Sequence, residues 1–205
     1  MERVYIIAEV GSNHNGSLHK ALKFLKSLSN IDIDAIKFQH GNPQNIFSYD
    51  SFFPEYAEFN ISTYKDLLKN VNKRLLKIED HIILNTECKK IKKDYLCSVF
   101  DLETLIEMDS KINLKKYKIP SGEILSLDIL SYISKQKKEV FLSTGMASME
   151  EIDFSLKKLI NIKKKITLLH CVSSYPTKLN EINLNNIITL KSKFKLPVGL
   201  SDHTT

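Results

Sequence analysis

Seven short runs rich in Val, Ile, Leu and Phe, alternating with longer stretches of helical periodicity, constrain this chain more tightly than any single motif. Apolar runs too short for helices, separated by amphipathic segments, mark βαβ units built on a parallel sheet. The predicted strands are Tyr5–Val10, Ala35–Gln39, Tyr95–Phe100, Tyr117–Pro120, Val140–Ser143, Ile166–His170 and Pro197–Leu200. Apolar residues recur at helical spacing in Leu18–Leu28, Thr63–Leu76, Ile78–Lys92, Leu102–Asp109, Leu127–Lys135, Met149–Ile160 and Leu184–Phe194. Ser148, followed by Met149, Glu150 and Glu151, supplies one helix with an N-cap and an acidic first turn. A complete (β/α)8 barrel takes about 250 residues. The 205 residues here therefore predict an α/β barrel of that type in a single domain, 1–205, incomplete at about seven βα units.

Composition removes several classes. No apolar run approaches the ~20 residues that span a bilayer, and the N-terminus lacks a basic, apolar, small-residue leader pattern, so the expected location is the cytoplasm, with no membrane partner. Cys88, Cys97 and Cys171 are odd in number and have no C-x-x-C spacing, which predicts reduced thiols rather than disulfides or a cysteine zinc site. The net charge of +6 is spread over short lysine groups without an arginine stripe or interleaved aromatics, so no nucleic-acid partner is expected, and an anionic substrate accounts for the positive balance. The connection from His40 to Asp94 holds its own helices and an aromatic loop, FSYDSFFPEY, too apolar for a solvated linker and suited to a lid or a subunit contact.

The polar residues fall where parallel α/β folds gather their chemistry, at strand C-terminal ends. In order these are Glu9 with GSNHNG, Lys37 and Gln39, Ser98, then Lys118, Ser121 and Glu123, then Ser143 and Thr144, then His170, then Asp202 and His203. Two lysines among small hydroxyl residues suit a phosphate ester. Lys37 lies inside an apolar alternation, where an unpaired ammonium is costly, so a partner anion is implied. Glu9 fits a general base, a metal ligand, or an ion-pair partner of Lys37. His170 and His203 close two strands and suit a divalent ion with open positions. The plainer reading of these two is a satisfied core or loop residue, while His14, His19, His40 and His81 have no partner spacing and are taken as surface or supporting residues. These features point to carbon–carbon bond chemistry on a small phosphorylated substrate or to metal-assisted hydrolysis.

The segments IIAEVGSNHNG, DAIKFQ, YLCSVFD, YKIPSGE, FLSTGMAS, LLHCVSSYPT and PVGLSDHT resemble, in order and at comparable spacing, the bacterial sialic acid synthase family. That family condenses phosphoenolpyruvate with an N-acetylhexosamine to make nine-carbon nonulosonic acids such as N-acetylneuraminate, legionaminate and pseudaminate. The resemblance implies a TIM barrel and a phosphoenolpyruvate-dependent transferase. Manganese, with magnesium or cobalt as alternatives, would be held by His170 and His203. Lys37, Gln39, Ser98, Lys118 and Ser121 match the phosphoenolpyruvate pocket, Tyr175 joins the substrate-binding residues, Glu9 matches the acid/base carboxylate and Glu123 the sugar-orienting one.

Departures from the family pattern bear on the acceptor. Ala147 stands where some members that use N-acetylmannosamine carry asparagine, which opens the way to a diacetamido-hexose. Ser98 and Val99 replace a frequent threonine and proline. The family continues to an eighth strand and a small antifreeze-like domain that completes a homodimer, so the chain is expected to be the N-terminal barrel part alone. A non-catalytic remnant binding sugar or protein, and another phosphoenolpyruvate-dependent aldol-type synthase, are the alternatives.

Overall fold

A computed structural model describes residues 3–49 and 63–205, and these form two compact units divided after Leu114. All seven expected strands are present, each within two residues of its expected ends, and they alternate with helices as the α/β, TIM-barrel-type reading requires.

The first unit contains β1 (Ile7–Gly11), α1 (Leu18–Leu28), β2 (Ala35–His40), α2 (Pro43–Ile46), α3 (Tyr64–Asn72), α4 (Ile78–Lys90), β3 (Asp94–Val99) and α5 (Leu102–Ile112). Its strands are parallel in the order β1, β2, β3, with Glu9 level with Lys37 and Gln39 level with Ser98. Side chains alternate across a strand. On β2, Ile36, Phe38 and His40 therefore share one face while Lys37 and Gln39 share the other. Ala35 to Phe38 are all buried, as expected for a parallel strand covered on both sides. Leu25 of α1, Leu84 and Cys88 of α4, and Leu105 and Met108 of α5 complete this core. Each large aliphatic side chain buried in this way contributes about 1.5–3 kcal/mol.

The helix expected over Thr63–Leu76 is shorter, because Thr63 is its N-cap, accepting from the Asp66 amide at 3.1 Å, and the chain leaves the helix after Asn72. There it passes against Gly16, whose φ is +71°. A Cβ on Gly16 would stand 2.2 Å from the Lys73 carbonyl oxygen, so only glycine permits this approach. The aromatic loop expected to act as a lid or subunit contact falls, from residue 50 onward, outside the described residues.

Asp101 joins two elements of this unit. Its carboxylate caps α5, accepting from the Thr104 amide at 2.9 Å, and also accepts from the Asn42 amide at 2.8 Å and the Asn45 side chain at 3.2 Å. Burial alone would raise its pKa, but these donors outweigh it and hold the carboxyl below the usual range. Asp101→Ala strips one helix cap and frees the segment after β2. The expected loss is about 2 kcal/mol, read from urea unfolding. A change below about 0.5 kcal/mol, the range of an ordinary surface substitution, would contradict this role.

The second unit contains β4 (Lys116–Ile119), α6 (Leu127–Gln136), β5 (Glu139–Ser143), α7 (Met149–Lys158), β6 (Ile166–His170), α8 (Asn185–Phe194) and β7 (Val198–Leu200). Its four strands are parallel and neighbour one another in chain order. Tyr117, Ile119, Leu142 and Leu168 of the strands pack with Leu130, Ile133 and Leu156 of the helices. The expected cap of α7 is present as a reciprocal pair: Ser148 accepts from the Glu151 amide, and the Glu151 carboxylate accepts from the Ser148 amide at 2.7 Å. Among the described residues no helix is long and apolar enough to cross a membrane.

Candidate functional site

Both units place polar side chains at strand C-terminal ends. In the first unit, Glu9, Lys37, Gln39 and Ser98 come together. The buried Lys37 ammonium is ion-paired with Glu9 and donates to the Ser98 hydroxyl at 3.0 Å. The partner anion expected for Lys37 is thus Glu9, one of the three roles open to that carboxylate. Glu9 keeps 45% of its side chain exposed, so it neutralises the lysine from the solvent side and leaves room for an anionic ligand. A Cβ on Gly11 would lie 3.0 Å from the Glu9 carboxylate and 3.6 Å from the Gln39 amide nitrogen, which puts those two side chains around one point. Beneath them the Cys97 thiol is pushed up to about 12 by burial, although the Lys37 charge acts in the opposite direction, so it stays protonated.

In the second unit, Lys118 is buried and donates to the Ser143 hydroxyl at 2.7 Å and to the Ile119 carbonyl at 3.3 Å. Ser121 accepts from the Gly145 amide at 3.0 Å and lies 3.1 Å from the Cys171 sulfur. A Cβ on Gly145 would come within 2.8 Å or less of Ser173 Oγ, Cys171 Sγ and Ser121 Oγ. A backbone N–H is thereby held among three small polar side chains, a place suited to an anionic oxygen. Gly145, Cys171 and Ser173 were not among the expected site residues. The G in STGM offered a turn, but no sequence spacing reveals that its missing side chain is what admits the others. Glu123, half-buried, accepts from the Ser126 hydroxyl.

His170 and His203 are oriented in similar ways. His170 Nε2 lies 2.7 Å from the Ile182 carbonyl oxygen and His203 Nδ1 lies 2.6 Å from that of Val172. A carbonyl carries no proton, so each of these ring nitrogens donates, and in the neutral ring the other nitrogen keeps a lone pair. An imidazole anchored by one nitrogen to a backbone carbonyl is the arrangement found in metal ligands, and this donor chemistry fits a divalent ion. Among the described residues no three His, Cys, Asp or Glu side chains gather into a fuller ligand set. The exposed Tyr175 stacks on His203 with ring centroids 4.2 Å apart, and its hydroxyl lies 3.3 Å from Nε2.

His14 and His81, expected at the surface or in support, are instead fully buried in the first unit. They gather with His40 on the Phe38 face of β2. His40 and His81 ring centroids are 4.7 Å apart, His14 and His81 each lie within 6.3 Å of Phe38, and Tyr95 O–H shares a 2.7 Å hydrogen bond with His81 Nδ1. His14 Nε2, His40 Nδ1 and His81 Nε2 are buried without hydrogen-bond partners. Burial lowers all three pKa values, that of His81 to about 3 with a further push from His40 and His14. They are therefore neutral at pH 7.

The NeuB family profile matches residues 24–205. The N,N'-diacetyllegionaminic acid synthase of Campylobacter jejuni is 39% identical over the whole chain, which spans 62% of that relative. The pseudaminic acid synthase of Helicobacter pylori is 31% identical over 97% of the chain, which spans 58% of it. The crystal structure of the N-acetylneuraminic acid synthetase of Leptospira borgpetersenii in complex with citrate superposes with a TM-score of 0.84 at 32% identity, over 99% of the chain and 66% of that structure.

Proposed function

Because this chain belongs to the NeuB family, as the seven strand-end motifs led one to expect, we propose that it is the catalytic barrel part of a nonulosonic acid synthase. In this reading it condenses phosphoenolpyruvate with an N-acetylated hexosamine aldehyde and water, giving a nine-carbon keto acid and phosphate. One observation supports it above the others: two buried lysines, Lys37 within β2 and Lys118 near the end of β4, each bonded to a serine hydroxyl. Buried ammonium groups with hydroxyl neighbours offset the charge of a substrate bearing both carboxylate and phosphate.

Lys37, Gln39 and Ser98 in the first unit, and Lys118, Ser121 and the Gly145 amide in the second, would each suit an anionic group of the kind phosphoenolpyruvate carries. Carbon 3 attacks the aldehyde carbon, water adds to the cation left at carbon 2, and the adduct breaks its carbon–oxygen bond to release phosphate. Glu9, ion-paired with Lys37, would accept the proton of the added water. Glu123, fixed by Ser126, would orient the sugar, with Tyr175 beside it. A divalent ion, manganese first, held by His170 and His203 would supply Lewis acidity at the aldehyde. Ala147 and the likeness to a diacetyllegionaminic acid synthase favour a diacetamido-hexose acceptor. The same proposal places the enzyme in the cytoplasm, which holds phosphoenolpyruvate, and as a homodimer in its full-length form.

Incubation with phosphoenolpyruvate, manganese and a series of acetamido-hexoses is expected to release phosphate. Lys37→Met and His170→Ala should each lower that rate by about 10²–10³-fold. No phosphate with any acceptor, together with no phosphoenolpyruvate binding by calorimetry, would remove this reading.

A further inference from the structure

The positive balance of the chain does not lie where a substrate would feel it. Residues 1–114 carry 15 basic and 16 acidic side chains, whereas residues 115–205 carry 15 lysines, no arginine and 8 carboxylates, so the whole excess belongs to the second unit. Within that unit the charges are sorted by end. Apart from Lys118 and Lys178, its lysines occupy the last turns of α6, α7 and α8, the turns leading into the strands, and the first residue of β4. Apart from Glu139, its carboxylates occupy the loops and the first halves of the helices that follow the strands. The substrate end of this unit is acidic and the opposite end strongly basic, which corrects the expectation that an anionic substrate explains the charge.

The helix dipole favours these lysines singly, Lys137 and Lys195 at C-caps and Lys163, Lys164 and Lys165 in the last turn of a short 3-10 helix (Ile160–Lys165), but Lys115 lies in no helix and three consecutive lysines exceed what one helix end needs. Lys116 pairs with Glu139 at 2.9 Å, and Lys165 donates to the Lys137 carbonyl. Lys115, Lys135, Lys137, Lys164, Lys191 and Lys195 are exposed and meet no carboxylate among the described residues. The strands are neighbours and parallel, so these side chains line one edge, strand after strand. In the segment INIKKK, Ile160 is 58% exposed three residues before the run Lys163 to Lys165.

We propose that this lysine-lined, strand-N-terminal edge of the second unit docks the protein on an anionic phospholipid surface. Lysines on flexible stems, without arginine forks, lack the bidentate contacts that read nucleic acid, and the exposed Phe154 ring is already covered by the Lys158 ammonium 5.1 Å from its centroid. A folded acidic protein would call for a central apolar anchor, and among the described residues this edge offers Ile160 alone as an exposed aliphatic side chain. A fluid bilayer needs only a dense set of like charges, and an exposed isoleucine beside them can enter the headgroup boundary.

The test is co-sedimentation of the chain with phosphatidylcholine vesicles containing, or lacking, about a third phosphatidylglycerol. Binding to the anionic vesicles alone is expected, weakened tenfold or more when salt rises from roughly 50 to roughly 300 mM. Charge reversal at Lys137, Lys163, Lys164 and Lys195 to Glu should weaken binding at least tenfold. The same four positions changed to Gln should give an intermediate loss with an unchanged melting temperature, which guards against misfolding. Equal binding to neutral vesicles, no binding at low salt, indifference to both variants, or tighter lysine-dependent capture of an oligonucleotide or an acidic polypeptide would each overturn the proposal.

Discussion

Acidification from pH 7.5 to pH 5 is expected to cost the folded chain about 2 kcal/mol through His81 alone. The folded-state pKa of His81 is depressed to about 3, so the native ring stays neutral while the unfolded ring gains a proton below its model value of 6.5. Stability is therefore complete above that value and lost as pH falls toward 3. His14 and His40, lowered for the same reason, add to the loss. The surroundings do little to offset it. Asp80 faces His14, and Asp101 and Glu107 face His40, but burial outweighs all three. Around His81 stand Tyr95, its titration pushed up by burial, and on the same elements Cys88 and Cys97, raised to about 12, none of which supplies an anion. Urea titrations at the two pH values measure the difference. His81→Gln, which keeps an acceptor for Tyr95 but cannot protonate, should flatten the dependence by about 2 kcal/mol. An unchanged slope in that variant would show the buried histidines to be irrelevant to acid stability.

Gly145→Ala is expected to lower phosphate release by about 10²-fold while changing stability by less than about 1 kcal/mol. The added methyl would meet the ends of Ser121, Cys171 and Ser173, three side chains that can swing aside. No backbone stands in its way among those nearest atoms, and the fold survives. What fails is the placement of the Gly145 amide and the Ser121 hydroxyl, which hold one end of the proposed substrate. The loss should fall on phosphoenolpyruvate KM and kcat together, since the same groups would meet the departing phosphate. A variant that melts far below the parent, or one with full activity, would count against this role.

How much of this was legible in the sequence depended on the range of the signal. Strand and helix periodicity is local, and β6 and α1 were read to the residue. The α7 cap was legible for the same reason, since Ser148 and Glu151 are three residues apart. The strand-end residues could be named because topology alone sends them to one end of a parallel sheet. The burial of His14 and His81 could not, because it arises from packing His40 of β2 on His81 of α4 across 41 residues. The ion pair of Glu9 with Lys37 rests on β1 and β2 pairing with Glu9 level with Lys37, a register no linear spacing encodes. The lysines were visible singly, but their sorting to one end required knowing which loops precede strands and which follow them.

Strand β2 carries a consequence of its own. With Lys37 and Gln39 on one face and Phe38 and His40 on the other, it is two sequences interleaved, one written for a ligand and one for the helices behind it. Sliding it by a single residue against β1 and β3 would exchange the two, burying an ammonium among aromatic rings and presenting a phenylalanine where the hydroxyl of Ser98 waits. The strand is thereby locked in place from both sides, and evolution can retune what the protein binds only by exchanging residues there, never by shifting the frame that holds them.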